Sequence, residues 1–463
     1  MTRIETDSIG ARELPEASLF GVNTLRATEN FDISPLKIGN EPAFVRALAA
    51  IKKAAAKANG ETGVIPHTIR NAIVTACDEI LAGQHHGQFV VDLLEGSGGT
   101  SINMNTNEVI ANRALQIIGH RAGQYDLLNP NDHVNSGQST NDVVPAAVKL
   151  AVLEKAPLLL SSLAHLAEVM QQRAEAFGNV LKIGRTCMQA AQPMTLGQEF
   201  EGYSSALFRA RDKIRAAVED LAVLPLGGTA IGTGLGAHPG YKEAVYRHLS
   251  SDIGLALRPA DNMFDGMQNS DSFARVSSEI RIAAEVIGKI SLDLIILSSG
   301  TKSGIGEIKL PAVQPGSSIM PGKVNPVLPM MMQQVAYAVV GNDAAVSLAS
   351  MSGQLEINHF EPVIASRMFD SMDLLTRGCR IFADKCISGI QALEEQALEN
   401  LMGSSALATV FVPKFGYAKV SKLVKQAEAE GKLFIDLLVE MGLLTKEEVI
   451  DALRDAANPQ RTA

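Results

Sequence analysis

Apolar residues recur with a helical period along most of the chain, and the longest such segments lie in its middle. One runs from Val143 to Gly178, and another begins at Asp271, a residue type that caps helices, and stops at Gly300. Each predicts one long helix. Shorter helical patterns occupy residues 43–60, 68–83, 416–432 and 443–456. The pattern as a whole predicts a mainly α-helical protein.

The apolar helical segments are short at both ends of the chain and long in its middle. These two changes predict three domains. Residues 1–140 mix short helices with Gly- and Asn-rich turns, residues 141–392 carry the long helices, and residues 393–463 return to short helices. Within the middle domain, residues 315–326 read PGSSIMPGKVNP, with three prolines and two glycines. We expect this stretch to form a loop between helices.

The amino-acid composition is typical of a helical protein and argues against a nucleic-acid partner. Apolar residues make up 46% of the 463 residues and aromatic residues only 5%, with no Trp, so aliphatic side chains and Met must fill the core. The formal charge is −9, from 41 Lys and Arg against 50 Asp and Glu. Because no basic block accompanies this acidic balance, we expect no nucleic-acid partner.

One uncharged segment, Val324 to Asn342, has the length of a membrane span. It contains Pro326, Pro329 and two glutamines, which suit lipid poorly. A helix that is apolar on all sides and buried among other helices is the simpler interpretation, so we expect no membrane association.

The cysteines and the N-terminus favour a cytoplasmic protein. Cys77, Cys187, Cys379 and Cys386 lack the spacing of a metal site, and four such residues in this length do not indicate a disulfide framework. The N-terminal residues carry charges where a signal peptide needs an apolar run. We expect neither a metal nor a cofactor.

Four polar, glycine-bearing stretches stand out against the helices. They are Gly96–Asn105, Ser136–Asp142, Gly184–Pro193 and the loop 315–326. Each offers hydroxyls, amides or backbone N–H groups to an anion, although for the first three, taken singly, helix caps and turns are the favoured interpretation. The loop differs, because its lysine has no evident structural purpose. A further glycine-rich stretch, Gly228–Gly236, lacks the strand–helix unit of a dinucleotide site.

The loop sequence GSSIMPGKVNP resembles the signature of the aspartase/fumarase superfamily. The agreement continues in GVNTLRATENF, GGTSINMNTNEVIANRA, HVNSGQSTND, GRT, LGGTAIGTGL and GQLEIN, and so covers nearly the whole chain. The resemblance implies a three-domain, mainly α fold whose central long helices assemble into one bundle in a homotetramer. It also implies that each active site is shared between three subunits.

The superfamily catalyses anti β-elimination from small dicarboxylates, with fumarate as the common product. Removing a Cβ proton generates a dianionic enediolate, which fixed hydrogen-bond donors stabilise. By position, Ser317 matches the general base, and Lys323 and Asn325 match residues that bind the α-carboxylate. Thr100, Ser139, Thr140 and Ser318 match donors to the carboxylate that becomes the enediolate, while Asn141 and Thr186 match contacts near the amino group. Cys187, next to Thr186, is also expected to bind the substrate. The loop's glycines and prolines suit a lid.

The chain departs from the superfamily pattern at three positions. Cys187 stands where many relatives have His, Ala190 where they have Asp, and Met330 where they usually have Glu. Neutral drift explains these changes as well as function does. In the functional interpretation, hydroxide needs an acid to leave, whereas an ammonium group leaves unaided, so the losses favour C–N cleavage.

We therefore expect L-aspartate to be converted reversibly into fumarate and ammonia, because MQNSDS and the loop resemble the aspartase branch. Three alternatives stay open. The chain could act on a substituted or methylated amine in a less polar pocket, hydrate fumarate, or be a non-catalytic structural relative. The presence of Ser317, Lys323, Asn325 and Asn141 argues against the last.

Overall fold

Helices dominate the computed structural model, which describes residues 1–300 and 303–458. In that part of the chain the α-helices are α1 (Val22–Asn30), α2 (Pro42–Glu61), α3 (His67–Leu81), α4 (Thr100–Ile117), α5 (Thr140–Ala176), α6 (Leu196–Glu219), α7 (Tyr241–Ile253), α8 (Met263–Gln268), α9 (Asp271–Leu297), α10 (Val327–Ser350), α11 (Glu361–Lys385), α12 (Glu394–Met402), α13 (Val412–Phe415), α14 (Tyr417–Glu430), α15 (Phe434–Glu440) and α16 (Lys446–Ala457). The mainly α fold class is confirmed.

Short strands form four two-stranded sheets in the described residues, and the sequence analysis predicted none of them. Three pairs are antiparallel and one, β5 with β6, is parallel. The pairs are β1 (Thr2–Asp7) with β2 (Gly10–Pro15), β3 (Leu181–Thr186) with β4 (Gln189–Thr195), β5 (Val223–Leu224) with β6 (Arg258–Pro259), and β7 (Ile308–Lys309) with β8 (Gln391–Ala392).

The two longest predicted helices are present close to their expected bounds. Helix α5 covers the segment expected from Val143 to Gly178 except for its last two residues, and α9 begins at the predicted Asp271. Pro145 and Pro157 lie within α5 without ending it. An isolated helix would lose stability at each proline, so packing of the apolar side chains must compensate.

The chain divides into two compact units, each assembled from three segments. The first comprises Met1–Leu160, Asp212–Ile282 and Ala338–Leu374, and the second comprises the described part of Ser161–Arg211, Ala283–Tyr337 and Leu375–Ala463. The three-domain division at residues 140 and 392 stays a prediction.

The core of the first unit is centred on α2, which packs against α3 and α7. Phe44 and Phe369 are fully buried, and their ring centroids lie 5.6 Å apart. Small side chains such as Ala54 and Ala58 are also fully buried on α2 and permit close packing of the neighbouring helices. The same helix also buries Lys52 completely.

In the second unit, one apolar cluster joins the β3–β4 hairpin to the C-terminal helices. Leu181 and Ile183 of β3 belong to it, together with buried side chains from the C-terminal part of the chain, among them Leu401, Phe411, Leu438, Val449 and Leu453. The C-terminal helices therefore support the base of a hairpin whose tip carries Thr186 and Cys187.

Helix α10 contains most of the uncharged segment that the sequence analysis expected to be buried on all sides. In the single chain Tyr337 is 68% exposed and Met330 is 46% exposed, so burial of this segment among other helices stays a prediction for the assembled protein. Across residues 1–300 and 303–458, no helix combines the length and apolar character that a bilayer crossing requires.

Candidate active site

The loop 315–326 directs two backbone N–H groups at the hydroxyl of Ser317. The Oγ atom accepts hydrogen bonds from the backbone N–H of Ile319 at 3.2 Å and of Met320 at 3.1 Å. Serine commonly closes a turn in this way. Here the same geometry stabilises negative charge on the oxygen, because both dipoles point at it.

The ends of this loop are tied together by backbone and side-chain hydrogen bonds. Gly316 N–H donates to the carbonyl of Lys323 at 2.8 Å, and the Asn325 amide donates to the carbonyl of Gly316 at 2.7 Å. A Cβ atom at position 316 would lie 2.6 Å from the Lys323 oxygen. Only glycine permits this closure.

Lys323 and Ser318 are exposed on the loop. Among the described residues, no carboxylate forms an ion pair with Lys323, so its ammonium group stays available to an anion. The Asn325 amide has a second N–H beyond the one given to Gly316. Lys323 and Asn325 can therefore both donate to a carboxylate without breaking the loop.

Two helices of the first unit start beside one another and supply a second set of donors. Thr100 is the first residue of α4 and Thr140 is the first residue of α5. Gly99, with φ of +88°, precedes α4, and a Cβ atom there would lie 3.1 Å from the Val144 side chain in α5. The free N–H groups and dipoles of helix starts favour anions.

The hydroxyls at the start of α5 are held as acceptors within the protein. Thr140 Oγ1 accepts from the Asn103 amide at 3.3 Å, and Ser139 Oγ accepts from the backbone N–H of Asn141 at 3.2 Å. Each hydroxyl hydrogen is thereby left to donate elsewhere. An anion such as a carboxylate is the complementary partner.

Asn141 is oriented by a carbonyl group. Its Nδ2 donates to the carbonyl oxygen of Ala230 at 2.7 Å, and among the described residues no hydrogen bond engages its Oδ1. A free amide oxygen accepts hydrogen bonds, and an ammonium group is a strong donor. The arrangement agrees with a contact near the amino group of a substrate.

Asp142, which the sequence analysis did not single out, anchors the turn that carries Ser139. It is fully buried and accepts from the backbone N–H groups of Ser139 at 2.9 Å, Gly227 at 3.1 Å and Thr229 at 3.1 Å. Burial raises the pKa of Asp142 to about 6, against the opposing effect of these hydrogen bonds. The LGGTAIGTGL segment, which contains Gly227 and Thr229, therefore helps to hold the Asp142 carboxylate that anchors the turn.

Thr186 and Cys187 lie at the tip of the β3–β4 hairpin, where both are exposed. Thr186 pairs with Gln189, so Cys187 and Met188 form a two-residue turn, with φ of 51° and 63°. Positive φ at both positions is the type I′ geometry, which Asn and Gly adopt more readily. Each side chain costs roughly 1 kcal/mol in this conformation.

The base of the hairpin is fixed by a buried carboxylate. Glu307 is fully buried, accepts from Arg185 Nη2 at 2.7 Å and from the Asn400 amide at 3.1 Å, and lies 3.2 Å from Lys182 Nζ. Sequence reasoning missed this group, because its members are far apart in the chain. Only the GRT motif, which contains Arg185, gave a signal.

The predicted site residues fall into two groups. The first unit contains Thr100, Ser139, Thr140 and Asn141, and the second contains Thr186, Cys187, Ser317, Ser318, Lys323 and Asn325. Hydrogen bonds connect Ser139 with Asn141, and loop closure connects Lys323 and Asn325 with Gly316. In the described part of the second unit, no hydrogen bond joins the hairpin tip to the loop.

Comparison with known proteins gives consistent matches over nearly the whole chain. The profile of a family described as "Lyase" matches residues 10–341. The aspartate ammonia-lyase of Helicobacter pylori strain J99 is 42% identical over 452 residues, which cover 98% of this chain and 97% of that protein. The aspartate ammonia-lyase of Bacillus subtilis strain 168 is 43% identical, with 96% and 94% covered.

The fold also matches solved structures. A crystal structure described as fumarate lyase:delta crystallin from Brucella melitensis superposes with a TM-score of 0.95 at 44% identity, covering 98% of this chain and all of that one. The sequence comparisons and the fold comparison therefore both match this chain to lyases.

Proposed function

Because this chain belongs to the aspartase/fumarase superfamily of lyases, we propose that it is a carbon–nitrogen lyase that converts L-aspartate into fumarate and ammonia. Ser317 is the general base of the proposed mechanism. The observation that carries this role is the pair of backbone N–H groups directed at its Oγ. The superfamily resemblance of the loop supports it.

Deprotonated Ser317 removes a proton from Cβ of aspartate, and the electron pair of the C–H bond moves into the neighbouring carboxylate to form an enediolate. An ordinary serine hydroxyl is too weak an acid to be deprotonated easily. A hydrogen bond to a charged group contributes about 1.5–3 kcal/mol, so Ile319 and Met320 N–H together favour the alkoxide substantially. Lys323 adds positive charge on the same loop.

The enediolate is bound by Ser139 and Thr140, with Thr100 and Ser318 completing the donors. The hydrogen bonds that Ser139 and Thr140 accept leave their hydrogens for the developing charge. Removing one such donor typically lowers kcat by roughly a hundredfold or more. Lys323 and Asn325 bind the other carboxylate and so orient Cβ toward Ser317.

The enediolate then collapses, its electron pair forms the C=C bond, and the C–N bond breaks. The leaving group is already an ammonium, so neutral ammonia departs without receiving a proton from the protein. Asn141 Oδ1 and Thr186 contact this ammonium in the proposed complex. Cys187 follows Thr186 at the same hairpin tip.

The proposed enzyme is a homotetramer whose active sites are completed by neighbouring subunits. The exposed apolar side chains of α10 support this, since Tyr337 is 68% and Leu348 is 64% exposed in the single chain, and Met351, directly after the helix, is 77% exposed. Apolar patches of this kind mark protein interfaces. The long helices supply the bundle that the resemblance implies. Four unpaired cysteines fit a cytoplasmic location.

One alternative substrate class has an observation in its favour. Cys187, Ala190 and Met330 replace polar residues of the superfamily pattern, and all three are exposed in the single chain. If they line the leaving-group side of the assembled site, a methylated or otherwise substituted amine would fit there. The same replacements disfavour fumarate hydration, because they remove the groups that would protonate hydroxide.

A parallel assay of fumarate absorbance tests the function. The purified protein is given L-aspartate, L-malate and a panel of N-substituted aspartates, with ammonia measured independently. We expect fumarate and ammonia in equal amounts from L-aspartate. Faster turnover of an N-substituted substrate would support the alternative, fumarate from malate without ammonia from aspartate would indicate a hydratase, and inertness toward all would indicate a structural relative.

A further inference from the structure

A fully buried lysine, Lys52, lies on α2 among apolar residues. Its exposed fraction is 0%, and its helical neighbours include Leu48 and Ala56, which are also buried. Removing an ammonium from water is costly unless it is paired. In the part of the chain that the structure describes, no carboxylate lies within ion-pair distance of Lys52. Packing alone does not explain a lysine here.

The only side-chain hydrogen bond from Lys52 within the described residues leads to the substrate-binding turn. Lys52 Nζ donates to Asn135 Oδ1 at 2.8 Å. The same oxygen accepts from the Asn103 amide at 3.1 Å, and that amide also donates to Thr140 Oγ1 at 3.3 Å. Asn135 further donates to the carbonyl of Gln138, just before Ser139, at 3.3 Å.

The path begins in the buried interior, where interactions between polar groups are stronger: Lys52 and Asn103 are buried, whereas Asn135 and Thr140 are partly exposed. Asn103 is 2% exposed, and its Oδ1 has no hydrogen-bond partner among the described residues. Hydrogen bonds in a buried network polarise one another, so a charge at one end orients the donors at the other. Only Asn135 and Asn103 separate the ammonium of Lys52 from the Thr140 hydroxyl.

We propose that Lys52 is a positioning residue for the carboxylate-binding turn Ser139–Asn141. Its ammonium fixes Asn135, which holds the turn through the Gln138 carbonyl and orients the Asn103 amide toward Thr140. Its positive charge also favours an anion at the turn. This role rests on the proposed function, because it assumes that the turn binds a substrate carboxylate.

The charge state of Lys52 supplies a readout that a structural role would not give. Desolvation lowers the pKa of Lys52 to about 7, although the charge of Asp142 opposes the shift. Cys77 remains a neutral thiol at such pH values, because burial raises the pKa of Cys77. Asp142 is the other group facing Lys52 that titrates nearby, with a pKa of about 6. Anion binding should therefore weaken as the pH rises through about 7.

The test measures binding of succinate, a dicarboxylate that cannot eliminate, by titration calorimetry on the full-length protein. We expect Lys52→Met to weaken succinate binding about tenfold near neutral pH and to abolish the pH step. The matched control is Lys53→Met, which changes the adjacent lysine that pairs with Asp78 at 2.7 Å. It should bind succinate as the wild type does.

Unchanged affinity in Lys52→Met, an equal loss in Lys53→Met, or a pH step retained in Lys52→Met would overturn the proposal. If Lys52→Met fails to fold, the wild-type pH titration and an Asn103→Ala variant, expected to lose affinity similarly, still decide. Because succinate binding needs no turnover, this result is separate from the proposed function. If the wild-type protein binds succinate normally but makes no fumarate from aspartate, the proposed function fails while the role of Lys52 is still tested.

Discussion

The backbone N–H of Gly316 donates to the carbonyl oxygen of Lys323 at 2.8 Å, and this bond closes the loop around Ser317. A Cβ atom at position 316 would lie 2.6 Å from that oxygen and 2.7 Å from the Asn325 nitrogen. One glycine, Gly316, thus determines the relative positions of the proposed base Ser317, the Lys323 ammonium and the Asn325 amide.

Gly316→Ala should therefore damage catalysis while leaving the folded protein intact. The added methyl group must push the two ends of the loop apart, and a displacement of about 1 Å at reacting groups costs roughly a hundredfold in rate. The measurement is kcat/KM for L-aspartate together with the melting temperature. Gly87→Ala is the matched control, because a Cβ atom at Gly87 meets nothing within 4 Å. Equal activity of both variants would contradict the role of the loop closure.

Glu307→Gln should destabilise the unit that carries the hairpin. The change removes the buried charge that pairs with Arg185 and lies near Lys182, and Lys182 keeps only its ion pair with Glu199. Breaking a buried pair costs about 3 kcal/mol, which urea unfolding will measure. Asp451→Asn breaks the exposed pair with Arg454 and should cost less than about 1 kcal/mol. Similar losses in both variants would show that Glu307 is not an anchor.

The N-terminal hairpin should loosen in acid. Arg26 forms two hydrogen bonds with Asp7 and lowers the pKa of that carboxyl to about 2. Since the folded-state pKa is lowered, the pair contributes stability above the ordinary carboxyl pKa of about 4, and this contribution is lost as the pH falls toward about 2.

Hydrogen exchange of the β1–β2 amides, compared between about pH 5 and about pH 3, checks this expectation. Wild-type protection of the hairpin, relative to α2, should fall on acidification. Asp7→Asn should show low protection at both values with no comparable step. A wild-type hairpin that keeps its relative protection would exclude the Asp7–Arg26 pair as the cause.

Apolar periodicity predicted the long helices because burial of one face determines whether such a segment is stable. Helices α5 and α9 follow this rule closely. The β3–β4 hairpin escaped prediction because its tight turn uses Cys187 and Met188 instead of the usual Asn and Gly. Its stability comes instead from the cluster formed with the C-terminal helices.

The supports of the candidate site could not be predicted from local sequence. Asp142 is followed by an ordinary helical pattern, and only the fold brings the N–H groups of Gly227 and Thr229 to its carboxylate. The apolar pattern around Lys52 predicts a helix, but it does not show that the Lys52 side chain is fully buried. The loop around Ser317 was recognisable because its composition conflicts with a helix and matches a known signature.

The role of Ser317 is tested most directly by kcat for L-aspartate in Ser317→Ala, with succinate binding measured on the same preparation and Ser318→Ala as the neighbouring comparison. The account predicts that Ser317→Ala loses about a thousandfold or more in kcat while binding succinate within a few-fold of wild type, and that Ser318→Ala, which removes one enediolate donor, loses about a hundredfold. A Ser317→Ala variant that keeps kcat within about tenfold of wild type would contradict the account.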